Sequence, residues 1–317
     1  MQVVLLLSQA LLAWAMLGAA MVAWGMARPK REGLALALAR GHATEPAEVG
    51  LEGQEVVFRL TQDVQSPGWV IPGGDPSGPD AVLLHGFGAS RYAGLVRASW
   101  AAPYCRQVVV FDQRGSGEAT GGWCTFGRRE ADDAARVAEQ LHETAHASTE
   151  PTEPHPVVLY GWSMGAQTAV LAGARYPERF AGVFAEAPFH TRDEPIRIRL
   201  RKRRLPAWPS IEIGAAIVRL FGGSGPFDRT ADARRLRSPL WVVHGERDTV
   251  CPPESGRLLA EAAPEARYVG VPDAGHHDLL DVGKQAYQDA LASFFARLAG
   301  PKSSPAPRHT PLPEASA

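Results

Sequence analysis

Through the middle of the chain, short unbroken apolar runs alternate with longer stretches whose apolar residues recur at helical spacing. Asp80–Leu84, Gln107–Phe111, Pro156–Leu159, Ala181–Ala185, Pro239–Gly245 and Tyr268–Val271 are of the first kind and predict strands, those at Asp80–Leu84 and Pro239–Gly245 buried. Ala93–Cys105, Arg128–Ala147, Ala166–Tyr176, Pro253–Ala262 and Asp281–Leu298 are of the second, with Ala131, Ala134, Val137 and Leu141 on one side of theirs. Strands and helices in this alternation predict an α/β fold with a mostly parallel central sheet and helices on both faces. Ahead of them, Glu55–Leu60 and Gly68–Ile71 predict two further strands, closed by Pro72-Gly73-Gly74.

The ends of the chain have different patterns. Met1–Ala27 carries no charged side chain, and about 20 apolar residues suffice to span a bilayer, so 1–27 predicts a transmembrane anchor. A cleaved signal, leading to export, is the alternative; it ordinarily starts with Lys or Arg and has a shorter apolar core. Arg28, Lys30 and Arg31 follow the span, which by the positive-inside rule puts the folded domain on the cytoplasmic side. Residues 28–50 form a juxtamembrane connector whose expected role is spacing, and 51–299 hold the domain. The Pro-rich stretch 300–317 has no apolar period and predicts a disordered tail.

Composition narrows the function classes. The 317 residues carry 33 Lys and Arg against 34 Asp and Glu, a net charge of −1, which gives no whole-chain reason to bind nucleic acid. Cys105, Cys124 and Cys251 form no C-x-x-C pair, so neither a zinc site nor a disulfide framework is indicated.

The chemistry centres on Gly161-Trp162-Ser163-Met164-Gly165, a G-x-S-x-G pentad between a predicted strand and a predicted helix. With 32 glycines in the chain, the pentad alone is a modest signal. Its context strengthens it: a serine on a sharp strand-to-helix turn needs glycine two before and two after, because the backbones approach too closely for a Cβ. Such an elbow requires its acid after a later strand and its histidine last. Asp248 follows the Pro239–Gly245 run, and His276 follows Tyr268–Val271.

In this order the chain resembles the α/β-hydrolase fold superfamily over roughly residues 50–299, on five blocks: His85-Gly86-Phe87-Gly88, Asp112-Gln113-Arg114-Gly115-Ser116-Gly117, the elbow, His244-Gly245-Glu246-Arg247-Asp248, and Ala274-Gly275-His276. In detail it is similar to the short-cap branch that includes membrane-anchored hydrolases and protein depalmitoylases. The resemblance implies a serine hydrolase with catalytic Ser163, Asp248 and His276, oxyanion donors at the Phe87 and Met164 N–H groups, and elbow glycines Gly161 and Gly165. It also implies an antiparallel sheet edge from the first two strands. No cofactor or metal is called for.

Other residues compete for these roles. His277 adjoins His276, but glycine just before His276 fits the tight loop that turns its ring to the serine. Asp273 and Asp278 are nearer the histidine in sequence, yet the fold delivers the acid from the preceding strand; they read as loop and helix-start residues. His85 reads as a loop-holding hydrogen-bond partner, and Asp112 with Arg114 as a fixed polar corner. Gly275-His276-His277-Asp278 lacks the helical spacing of a metal motif.

An insertion over about 190–238 predicts a short cap. Within it Arg197–Arg204 carries six positive charges in eight residues, followed by the mostly apolar Ile211–Phe221. A solvated helix face with cap packing is the plain reading; a cap facing an anionic membrane is the sharper one. The sequence therefore leads to a hydrolase of carboxylic esters or thioesters on a lipid-like, acylated-protein or other hydrophobic substrate. A non-hydrolytic acyltransferase of the same fold and a membrane-tethered binding scaffold are its alternatives.

Overall fold

The computed structural model describes residues 2–146, 155–191, 193–202, 204, 208–209, 211–214, 216 and 227–299. Residues 147–154, much of the cap between 203 and 226, and the 300–317 tail lie outside the described residues.

One eight-stranded sheet organises the described residues. In chain order its strands are β1 (Gln54–Arg59), β2 (Gln65–Pro72), β3 (Asp80–Leu84), β4 (Gln107–Phe111), β5 (Val157–Trp162), β6 (Phe180–Glu186), β7 (Leu240–Gly245) and β8 (Ala266–Val271), and in space they run β1-β2-β4-β3-β5-β6-β7-β8. Only the β1–β2 and β2–β4 pairings are antiparallel. Every residue of β3, β5 and β7 is buried, which is why their sequences run apolar without alternation. Each Val, Leu or aromatic side chain buried there contributes roughly 1.5 to 3 kcal/mol. The central strands are thereby a rigid platform for the loops at their ends.

The helices are α1 (Gln2–Ala27), α2 (Leu34–Ala39), α3 (Arg91–Ala101), α4 (Arg128–His146), α5 (Met164–Arg175), α6 (Glu194–Lys202), α7 (Arg229–Ala233), α8 (Pro253–Ala262), α9 (Leu279–Val282) and α10 (Lys284–Ala299). Residues of α4, α5 and α8 share one apolar core with one face of the sheet; those of α3 and α10 share a second core with the other. The helix expected to run to Cys105 tightens to a 3₁₀ turn at Ala102–Tyr104, where Pro103 supplies no N–H for α-helical bonding. The last expected helix is interrupted at Gly283, where a Cβ would press on the Leu279 carbonyl and Val271.

The N-terminal expectation needs correction. Among the described residues no helix is long and apolar enough to cross a membrane, so the transmembrane anchor over 1–27 is not found. The single-pass placement with a cytoplasmic domain loses its basis with it. The physical reason is that the second half of α1 packs on the domain. Ala15 and Ala19 are buried, and Val22 joins an apolar cluster with Phe126, Met164 and Phe189. A Cβ on Gly214 of the cap would meet the Ala19 carbonyl and Val22 at 3.0 and 3.1 Å, so helix and cap touch closely.

The connector does more than set spacing. Glu32 is fully buried and accepts hydrogen bonds from Arg40 Nη1 at 2.6 Å and Ser90 Oγ at 2.7 Å. The His42 imidazole, with Nδ1 3.3 Å away, and those two bonds outweigh burial and hold its carboxyl down at about 2. Residues 28–50 are thus tied to the start of α3, beside the loop after β3.

Candidate active site

The elbow forms because two glycines permit it. A Cβ on Gly161 would strike the Gly165 carbonyl, and one on Gly165 would strike the Leu84 carbonyl. Between them Ser163 adopts φ 54° and ψ −116°, an unfavourable backbone state for a residue with a Cβ. Its N–H donates to the Glu186 carbonyl of β6 at 2.8 Å, and α5 begins at the next residue. Strand, turn and helix hold the Ser163 side chain outward at the carboxyl end of the sheet, where ligands bind in open α/β folds.

The loops after β7 and β8 bring Asp248 and His276 to it. Asp248 Oδ1 accepts the N–H groups of Val250 at 2.7 Å and Cys251 at 2.8 Å, which fixes the carboxylate. Oδ2 lies 2.6 Å from His276 Nδ1. A carboxylate only accepts, so Nδ1 carries the proton and Nε2 offers a lone pair to Ser163 Oγ, 3.1 Å away. Burial alone would raise the Asp248 carboxyl, but the His244 imidazole, with Nε2 3.4 Å from Oδ2, and then the hydrogen bond from His276 hold it well below the usual range. His244 is itself buried, its Nε2 donating to the Cys251 carbonyl at 2.9 Å. Of the three residues singled out from the sequence, His276 is therefore within hydrogen-bonding reach of both Asp248 and Ser163.

The competing residues fall elsewhere. His277 packs edge-on against the His276 ring with centroids 4.9 Å apart, and burial lowers its pKa. Asp278 accepts the Gly275 N–H at 2.6 Å and precedes α9, while Asp273 pairs with Arg247. His85 has both ring nitrogens engaged: Nδ1 lies 2.8 Å from the Gly86 carbonyl, and Nε2 accepts the Gln113 N–H at 2.9 Å. One nitrogen donates and the other accepts, so the ring is neutral, in keeping with the lowering of its pKa by burial. Asp112 is buried under Arg91 and the Glu118 N–H, and Arg114 is paired with Asp133. Among the described residues no group of three or more His, Cys, Asp or Glu is placed to hold a metal.

Ser163 and His276 open into a cavity of about 800 Å³. Phe87 lines it and stacks on Phe126 with centroids 5.3 Å apart, while Met164 lies buried beneath. One group of lining side chains is apolar: Val22, Phe87, Phe126, Phe189, Ile196 and Val250 belong to a single cluster around Met164 and Cys251. A second is basic: Arg40, His42, Arg97 and Arg199, with no carboxylate among the described lining residues. Arg97 grips the buried Glu186 at 2.8 Å through Nε and lies over the Trp162 ring at 4.3 Å.

Several of these were invisible in the sequence. Met21, Val22 and Gly25 come from α1 and Arg40 and His42 from the connector, both read as parts outside the domain. The signal that existed was a clustering of Glu32, Arg40 and His42 in a segment assigned only to spacing.

A parallel α/β sheet with a strained serine elbow and a histidine and aspartate on its last two loops defines the α/β-hydrolase class. The chain belongs to the alpha/beta hydrolase family, whose model matches residues 81–292. It is 30% identical over 196 residues to the uncharacterized protein YqkD of Bacillus subtilis, covering 59% of this chain and 61% of that one. It is 26% identical to a pimeloyl-[acyl-carrier protein] methyl ester esterase of Chromobacterium violaceum, over 69% and 94% of the two chains. Among solved structures, an esterase of Pyrococcus furiosus superposes with a TM-score of 0.66 at 22% identity, covering 86% of this chain and 98% of that one.

Proposed function

We propose that the protein is a serine hydrolase that cleaves a carboxylic ester or thioester of a hydrophobic, lipid-like or acylated-protein substrate through an acyl-enzyme. The observation that carries this reading is the line from Asp248 Oδ2 through His276 to Ser163 Oγ, at 2.6 and 3.1 Å. His276 Nε2 takes the Ser163 proton as Oγ attacks the acyl carbonyl, and Asp248 stabilises the imidazolium that forms. Met164 is the first residue of α5, where the helix leaves N–H groups without intrahelical acceptors. Its N–H and that of Phe87 bind the tetrahedral oxyanion; losing one such donor costs about 100- to 1,000-fold in rate. His276 then protonates the leaving alcohol or thiol as the carbonyl reforms. Water, deprotonated by the same nitrogen, attacks the acyl-enzyme and releases the acid. The apolar cluster beside Ser163 supports a hydrophobic acyl group.

The test uses the full chain with and without Ser163→Ala, treated with a fluorophosphonate probe and with p-nitrophenyl esters of increasing chain length. Labelling and turnover by the wild type alone are expected. A folded wild type that neither labels nor turns over any ester would sink the reading.

A further inference from the structure

We infer that the mouth of the cavity docks on an anionic lipid surface, with α1 embedded in one leaflet without crossing it and the basic residues after α1 and in the cap lying on the head groups. Docking is separate from hydrolysis and stands whether or not Ser163 acts.

The first observation is what α1 exposes. Val3, Val4, Leu5 and Leu6 are each at least 57% exposed, and four consecutive positions cover every side of a helix. Leu12, Leu17 and Met21 are more than 60% exposed as well. No charged side chain occurs in the helix, and an exposed apolar surface of this extent marks an interaction site. The second is that the same helix lines the cavity through Met21, Val22 and Gly25. The uncovered face and the mouth are continuous.

The third observation names the partner. Trp14 and Trp24, about half exposed, are the amphipathic rings that favour a membrane interface. Lys30, just beyond α1, and Arg199, Arg201, Lys202 and Arg204 in the cap are exposed, and Arg199 also lines the cavity. An apolar partner surface of a second protein would meet these charges unfavourably, whereas an anionic bilayer offers acyl chains to α1 and phosphates to the cations.

The experiment is co-sedimentation of the full chain with phosphatidylcholine vesicles and with vesicles of phosphatidylcholine and phosphatidylglycerol, at low and high salt. Wild type is expected to pellet with both, more tightly with the anionic vesicles at low salt. Leu5→Gln/Leu12→Gln/Leu17→Gln is expected to lose binding to both by at least about tenfold, given the apolar area removed. Lys30→Gln/Arg201→Gln/Arg204→Gln is expected to lose about fivefold per charge on the anionic vesicles and nothing on the neutral ones. Unchanged melting temperatures exclude unfolding as the cause, and Ser163→Ala should bind as wild type does, which keeps docking distinct from hydrolysis. A wild type left in the supernatant with both vesicles overturns the inference, as does a self-associated wild type that the Leu→Gln variant converts to monomer without any vesicle binding.

Discussion

The N–H of Ser163 donates to the backbone carbonyl of Glu186 at 2.8 Å, so the turn that carries the nucleophile candidate is bonded to the end of the neighbouring strand. The Glu186 side chain is bonded in turn to Arg97 and to the Tyr287 hydroxyl, at 2.8 and 2.7 Å. Removing one member leaves the other charge buried without its counter-ion. Glu186→Leu should lower stability by about 3 to 5 kcal/mol in urea denaturation, while Arg97→Met/Glu186→Leu recovers a large part of it. Additive losses in the double variant would show that the pair is not coupled.

Asp248→Asn keeps an acceptor for the Val250 and Cys251 N–H groups but removes the negative charge facing His276 Nδ1. The imidazole then loses both its preferred tautomer and its stabilised cation. With a short p-nitrophenyl ester, kcat should fall by about 10⁴-fold with little change in melting temperature. A loss below tenfold would show that the aspartate does not serve the histidine as proposed.

Glu32 gives a pH signature in stability. Its folded-state carboxyl is held at about 2, below the ordinary 4.5. A depressed acid stabilises fully above its unfolded pKa, and that contribution fades as pH falls toward the folded value. Wild type should exceed Glu32→Gln by on the order of 2 to 3 kcal/mol at pH 7, and the gap should close between about pH 4.5 and 2. Urea titrations at several pH values measure it; a gap that stays constant with pH would remove ionisation from the explanation.

Gly25 lines the cavity, and a Cβ added there meets nothing within 4 Å. Gly25→Trp should therefore fold, since the site has room, and should fill space near the mouth. We expect turnover of long-chain p-nitrophenyl esters to fall at least about tenfold while acetate and butyrate esters keep their rates. Equal loss across the series would place the acyl group elsewhere in the cavity.

The sheet was legible because β3, β5 and β7 are buried on both faces and must read as continuous apolar runs. Ser163 and Asp248 could be singled out because each lies just after such a run, with glycines forced at Gly161 and Gly165 by close backbone approach, and His276 because it follows the short apolar stretch of the half-buried β8. The N-terminal segment was misread for a physical reason as well. A charge-free apolar helix has one pattern whether it crosses a membrane or is partly covered by a cap, and pattern alone does not show that Ala15 and Ala19 are covered. Likewise the buried bonds from Arg40 and Ser90 to Glu32 join residues 8 and 58 positions apart, a pairing no local spacing announces.

Because Met21, Val22, Gly25, Arg40 and His42 all line the cavity, the N-terminal segment cannot be trimmed as a removable leader without altering the site. A chain shortened to begin at Gly33 would lack Glu32, leave Arg40 and Ser90 without their acceptor, and open one side of the cavity to solvent. Substrate preferences measured on such a fragment would describe a trough with a missing bank. Those of the whole chain belong to a site that its first forty-two residues help to build.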